Sequence, residues 1–235
     1  TPVVTRIDNI TSTGFDLKLD RADGLTGTVT FNVSVIVVEE GVYTLAADGV
    51  TMEAATFTST ITSKKNSWTG ESRSYTNSYT EPVVFGQIMS YNDSNWSAFW
   101  SMGATQTDAP DASNLAMGKQ VGEDTTTSRA NELIGYIVIE AGNGSIDGVD
   151  YEPGLGSDSV MGLTNSATPY AYNQTGSLNS TTAAAVTQAG MDGGDGSWAI
   201  AISEFAVWAT VIRKIANSLA DFIAVPPLPA KVGKA

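Results

Sequence analysis

The chain has 235 residues, 42% of them hydrophobic, and a formal net charge of −13 with neither Cys nor His. Such acidity argues against nucleic-acid binding, which needs a basic footprint, and against electrostatic attachment to anionic lipid. Without imidazole or thiol there is no Ser-His-Asp triad, no thiol nucleophile and no ordinary zinc site.

Residues 3–63 read as strands separated by glycine turns at Asp23-Gly24 and Asp48-Gly49. GFDLKLD, from Gly14 to Asp20, alternates, with Phe15, Leu17 and Leu19 on one face. Thr28 to Val38 is rich in β-branched residues, and Thr56 to Thr62 alternates with threonine. Residues 64–82 are polar and read as a surface connection or a pair of edge strands. Val83 to Met89 reads as a strand, Tyr91 to Asn95 as a turn, and Trp96 to Trp100 as a strand returning in a hairpin. Pro110 marks a loop over 103–112. Leu115 to Val121 and Glu132 to Glu140 read as strands, with a turn at Asn143-Gly144. Residues 153–182 are Gly, Ser, Thr and Asn with few large apolar groups, a long loop region.

From Ser203 the pattern changes. Phe205, Trp208, Ile212, Ile215, Leu219 and Phe222 recur with spacings of 3, 4, 3, 4 and 3. That heptad stripe predicts an amphipathic helix over 204–224, stopped by Pro226 and Pro227, with an extended tail at 225–235. The stripe would pack on its own sheet, self-associate through those six residues, or lie at a membrane interface. Arg213, Lys214, Asn217 and Asp221 argue against a transmembrane span.

Two blocks recur. In the tryptophan block, Val84, Met89, Asp93, Trp96 and Ser101 fall on Val186, Met191, Asp195, Trp198 and Ser203 at an offset of 102 residues. In the acidic-strand block, VIVVEEG at Val35 to Gly41 matches YIVIEAG at Tyr136 to Gly142, each followed by Asp-Gly-Val. The blocks imply two related units of about 100 residues. The middle, 71–160, holds one block of each kind and is expected to close a complete β-sandwich. Residues 1–70 hold an acidic-strand half-unit, and 161–203 hold a loop and a tryptophan half-unit. Half-units leave open sheet edges, so the two are expected to meet, within one chain or between neighbouring chains.

Several residues are candidates for chemistry. Asp192 and Asp195 in a glycine turn are oxygen ligands of the kind that suit Ca²⁺, although turn-forming residues in a hairpin explain them as well. Trp96 and Trp100 form a candidate sugar-stacking platform, with Trp198 a possible third member; burial in the core is the competing reading. Asn92, Asp93, Arg129 and Glu132 would supply hydrogen bonds to sugar hydroxyls, against a plain surface ion pair for Arg129 and Glu132. Glu39 and Glu40 point to opposite faces of a strand and cannot act as a glycosidase pair. No catalytic constellation emerges. Sequons at Asn9, Asn32, Asn92, Asn95, Asn143, Asn173 and Asn179 permit glycosylation of an exported chain. The first residue, Thr1, reads as a processed N-terminus and hence export.

Thr5 to Leu19, TRIDNITSTGFDLKL, resembles one half of an H-type lectin domain, and Tyr79 to Asp93, YTEPVVFGQIMSYND, resembles the other. Similar blocks occur in tandem in secreted bacterial surface proteins. The resemblance implies six-stranded antiparallel sandwiches, trimeric assembly and a GalNAc-type sugar groove between protomers. The family's sugar site commonly includes a His, which this chain lacks. The fold expected is mainly β, two antiparallel β-sandwich units plus one C-terminal amphipathic helix. The function expected is that of a non-enzymatic, extracellular or cell-surface structural protein. It would partner itself as a homo-oligomer or filament, with a soluble glycan-binding lectin as the alternative.

Overall fold

The computed structural model describes residues 3–23, 32–156, 158 and 184–199, together with the backbone of 207–213 and 223–229. The chain is mainly β, in several sheets that are largely antiparallel.

β1 (Val3–Asp8) and β2 (Asp16–Arg21) form an antiparallel pair, Val3 opposite Arg21 and Asp8 opposite Asp16. The alternation in GFDLKLD does what it predicts at Phe15 and Leu17, which pack against the core. β3 (Asn32–Glu39) follows, then β4 (Gly41–Tyr43), a single helical turn α1 (Leu45–Asp48) and β5 (Met52–Ser59). The short strand β6 (Thr62–Ser63) precedes the polar stretch 64–82, and β7 (Glu71–Arg73) lies within it, the stretch expected to be a connection or edge strands. β8 (Pro82–Ile88), β9 (Ala98–Met102), β10 (Leu115–Gln120) and β11 (Glu132–Glu140) carry the central part of the fold. A hairpin of β12 (Gly144–Ile146) and β13 (Val149–Tyr151) comes next, then β14 (Gln188–Ala189), β15 (Val207–Arg213) and β16 (Ile223–Pro229).

The central sheet has the order β4-β5-β11-β8. β11 is buried along nearly its whole length, as a strand of nine residues with ELIGYIVIE composition should be. Its two faces feed different cores. Ile137 and Ile139 join Ile7, Val33, Val38, Met52 and Met89. Ile134, Tyr136 and Val138 join Val84, Ile88, Phe99, Leu115 and Met117. The two-residue period of the strand therefore splits one run of apolar side chains between two cores. Close approach on the second face explains a glycine: a Cβ on Gly86 of β8 would lie 2.5 Å from the ring of Phe99.

A second sheet has the order β14-β9-β10-β6, with β7 also on β10. A third has the order β15-β3-β16, parallel on the β15 side and antiparallel on the β16 side.

Three expectations are corrected. The hairpin of Val83–Met89 with Trp96–Trp100 does not form: β8 pairs with β11, whereas β9 pairs with β10 and β14. The chain changes sheets between Ile88 and Ala98 because the intervening loop is tied to buried side chains rather than to a partner strand. The boundary at 70/71 is crossed by pairing, since β11 lies between β5 and β8 and β10 pairs with β6. Residues 71–160 therefore do not close by themselves. Finally, residues 207–213 of the expected helix are strand β15, and Ile223–Pro229, which takes in the expected helix end and the start of the expected extended tail, is strand β16. Val207, Thr210, Val211 and Ile212 are β-branched, and that stiffness at χ1 suits a strand flanking β3 better than a helix. Of the heptad residues, Trp208 and Ile212 have strand backbone, paired with Ser34 and Val38. Phe205, Ile215, Leu219 and Phe222 lie outside the described residues.

The repeat survives in local geometry. The two acidic-strand blocks are β3 and β11, and each is an inner strand of its sheet. Each Asp-Gly-Val is a turn with a left-handed glycine, Gly49 at φ 73° and Gly148 at φ 80°.

Candidate functional site at the tryptophan loop

The loop between β8 and β9, residues 89–97, is organised by a buried ion pair. Glu132, the first residue of β11, and Arg6 of β1 are both fully buried. Arg6 Nη2 donates to Glu132 Oε1 at 2.6 Å. The same carboxylate accepts the backbone N–H of Asp93 at 2.9 Å, that of Asn92 at 3.1 Å, and the Ser90 hydroxyl. Arg6 donates in turn to the carbonyls of Asp93 and Asn95 at 2.9 Å and of Ser90 at 3.0 Å. A loop with no strand partner thus has the backbone donors of Asn92 and Asp93 and the carbonyls of Ser90, Asp93 and Asn95 met by two side chains. Asp20 stands 3.5 Å from Arg6, and burial pushes its carboxyl above the usual range against the pull of the guanidinium. Tyr91 is overlain by Arg6 at 4.3 Å and by Lys18 at 3.5 Å from its ring centre.

Asp93 caps the loop from inside. Its carboxylate accepts from Asn95 and from the backbone of Ala130 at 2.9 Å. Burial pulls its carboxyl up, but those hydrogen bonds outweigh burial and hold it below the ordinary value. Asn92 donates to Asn131 O at 2.8 Å. Arg129 is buried and donates to Trp96 O at 2.8 Å and to Asp124 at 3.0 Å. The groups nominated for sugar hydroxyls are therefore already engaged with the protein. Arg129 and Glu132 are not a surface ion pair with each other: Glu132 pairs with Arg6 and Arg129 with Asp124.

The aromatic candidates separate. Trp100 is fully buried and packs edge-on against Trp68 at 5.5 Å, so it takes the core reading. Trp96 and Trp198 are half-buried and face one another at 5.1 Å with their planes tilted 51°. The Trp198 indole N–H donates to Val3 O at 3.1 Å. The two tryptophan blocks thus meet at corresponding residues, against the first strand.

At the second block, Asp195 pairs with Lys65 at 2.9 Å and Asp192 is exposed. Among the described residues no group of three or more acidic side chains is placed to hold a metal. Two carboxylates, one of them neutralised by Lys65, do not fit Ca²⁺, which takes about six to eight oxygen ligands. Of the sequons, Asn9, Asn92, Asn95 and Asn143 are exposed, and the side chains of Asn32, Asn173 and Asn179 lie outside the described residues.

No known protein family, curated protein or solved structure matches the chain. Among the described residues no helix is long and apolar enough to cross a membrane.

Sequence reasoning missed Arg6, on which the loop is centred. A signal was present: VVTRID places one arginine among apolar and β-branched residues in a strongly acidic chain. A cation at such a position calls for a buried anion.

Proposed function

We propose that this is an exported, self-assembling structural protein of the extracellular space or cell surface, whose subunits join by exchanging C-terminal strands. The observation that carries the reading is the pairing of β3. Both of its hydrogen-bonded neighbours come from the far end of the sequence, β15 at 207–213 and β16 at 223–229. No strand from residues 3–23 or 41–156 pairs with it. A segment that completes a distant strand within one chain can complete the same strand in a neighbour, since the hydrogen bonds are identical. Donation in one direction is a heterologous contact, and repeated contacts of that kind build rings or open filaments. Export rests on the resemblance to secreted surface proteins.

The experiment is light scattering after size exclusion, with negative-stain microscopy of the full chain at high concentration. Rings, filaments or sheets are expected, and a monomer at every concentration would end this reading. A lectin is the second reading, and the half-buried Trp96–Trp198 pair is what favours it, because indole faces pair with pyranose C–H faces. It would show as a discrete oligomer that binds on a glycan array.

A further inference from the structure

Gly118 lies in the middle of β10, directly opposite Trp100 of β9. A Cβ built on it would have as its nearest neighbours Trp100 Nε1 at 3.7 Å, Glu71 Oε2 at 3.8 Å and Ser59 Oγ at 4.0 Å. All three are nitrogen or oxygen, and they come from β9, β7 and β5. Trp100 is fully buried, yet among the described residues its indole N–H has no hydrogen-bond partner. A buried donor without an acceptor is costly, and native proteins meet that need with ordered water.

We infer that the cradle over Gly118 is a binding site for a single buried water that joins Trp100, Glu71 and Ser59. The chemistry of the three atoms is complementary. The indole N–H donates to the water oxygen, and the water's two hydrogens go to the Glu71 carboxylate and to a lone pair of Ser59 Oγ. The Ser59 proton is already directed at Glu71 Oε2, 2.5 Å away. The site offers three polar partners, within the range that holds buried water in place. Ser59 belongs to the central sheet and the other three residues to the second sheet, so the water would bridge the two. Glycine at 118 leaves room for it.

The test is Gly118→Ala. A methyl group there meets nothing closer than 3.7 Å, and the backbone of Gly118 is not in the left-handed region. Alanine therefore introduces no clash and, in a site that held nothing, would stabilise the strand. If it displaces a water, the indole N–H is orphaned and the melting temperature falls, by roughly 3 °C. The same substitution in a Trp100→Phe background, which has no donor to orphan, then shows little or no fall. A fall in the first background that vanishes in the second supports the site. An unchanged or raised melting temperature for Gly118→Ala overturns it, and so does a fall of equal size in both backgrounds.

Discussion

Glu132→Ala is expected to lower folding stability by about 3–5 kcal/mol, the range for breaking a buried ion pair by removing one partner. The carboxylate lies 2.6 Å from the Arg6 guanidinium, closer than Asp20 at 3.5 Å, and both Glu132 and Arg6 are fully buried. Its removal leaves Arg6 facing carbonyls and Asp20 at 3.5 Å. It also orphans the backbone donors of Asn92 and Asp93. Loop and ion pair fail together, so the loss should exceed that of the surface pair Arg21–Asp23, which water screens. Urea denaturation of the two variants measures both. A loss below about 1 kcal/mol for Glu132→Ala would mean that the loop is not held as described.

The second large effect is alkaline unfolding. Tyr75 and Tyr79 pack edge-to-face at 5.2 Å; Tyr75 donates to Asp111 O at 2.8 Å, and Tyr79 lies in the second core. Burial first pushes both phenols well above their ordinary value, joined by the charges of Asp111 and then Glu53 at Tyr75 and of Glu53 at Tyr79. Burial also raises Tyr43, Tyr91, Tyr136 and Tyr151. The unfolded chain ionises its phenols near pH 10, and the folded chain resists. The stability these groups contribute is fully present below about pH 10 and is lost as pH rises towards their folded values. Lys119 works the other way, because burial lowers its ammonium and its neutral form relieves the fold as pH rises. Six phenols outweigh one amine. The melting temperature is expected to fall steeply above about pH 10, with the tyrosinate absorbance of Tyr75 and Tyr79 appearing together with unfolding rather than before it. Tyrosinate that is lost on Tyr75→Phe or Tyr79→Phe, appearing in a chain whose circular dichroism is still native, would contradict the burial assigned to those two residues.

Much of the strand content was legible because it depends on local pattern. Glu132 to Glu140 was predicted as a strand and is β11 over those residues. A continuous apolar run bounded by polar turns has few other solutions. The turn at Asp48-Gly49 was legible for a similar reason, since glycine takes the left-handed conformation readily, whereas the turn expected at Asn143-Gly144 falls at Asp147-Gly148, with Gly144 already in β12. Pairing was not legible. Nothing in Val83–Met89 and Trp96–Trp100 distinguishes a hairpin from two strands of different sheets. What decides it is the Arg6–Glu132 pair, whose members are 126 residues apart in sequence. Over 207–213 the heptad stripe misled, because an apolar, β-branched run serves a strand as well as a helix face. The β-branched composition of 207–212 was the better guide there. At the candidate site, Trp96 and Trp198 were identified as residues of a repeat, and the structure brings them together. Trp100, four positions on from Trp96, lies in the core instead, because β9 is buried from Ala98 to Ser101.

Strand exchange can be read directly with cysteines, since the chain has none of its own. Val35 of β3 and Ala209 of β15 are register partners in the parallel pair. Val35→Cys and Ala209→Cys are made as separate single variants, unfolded together, refolded as a mixture, assembled and oxidised. Exchange places a cysteine of one chain beside a cysteine of another, so the account predicts a covalent heterodimer on a non-reducing gel. A chain carrying both substitutions that closes only on itself, with no heterodimer in the mixture, would contradict it.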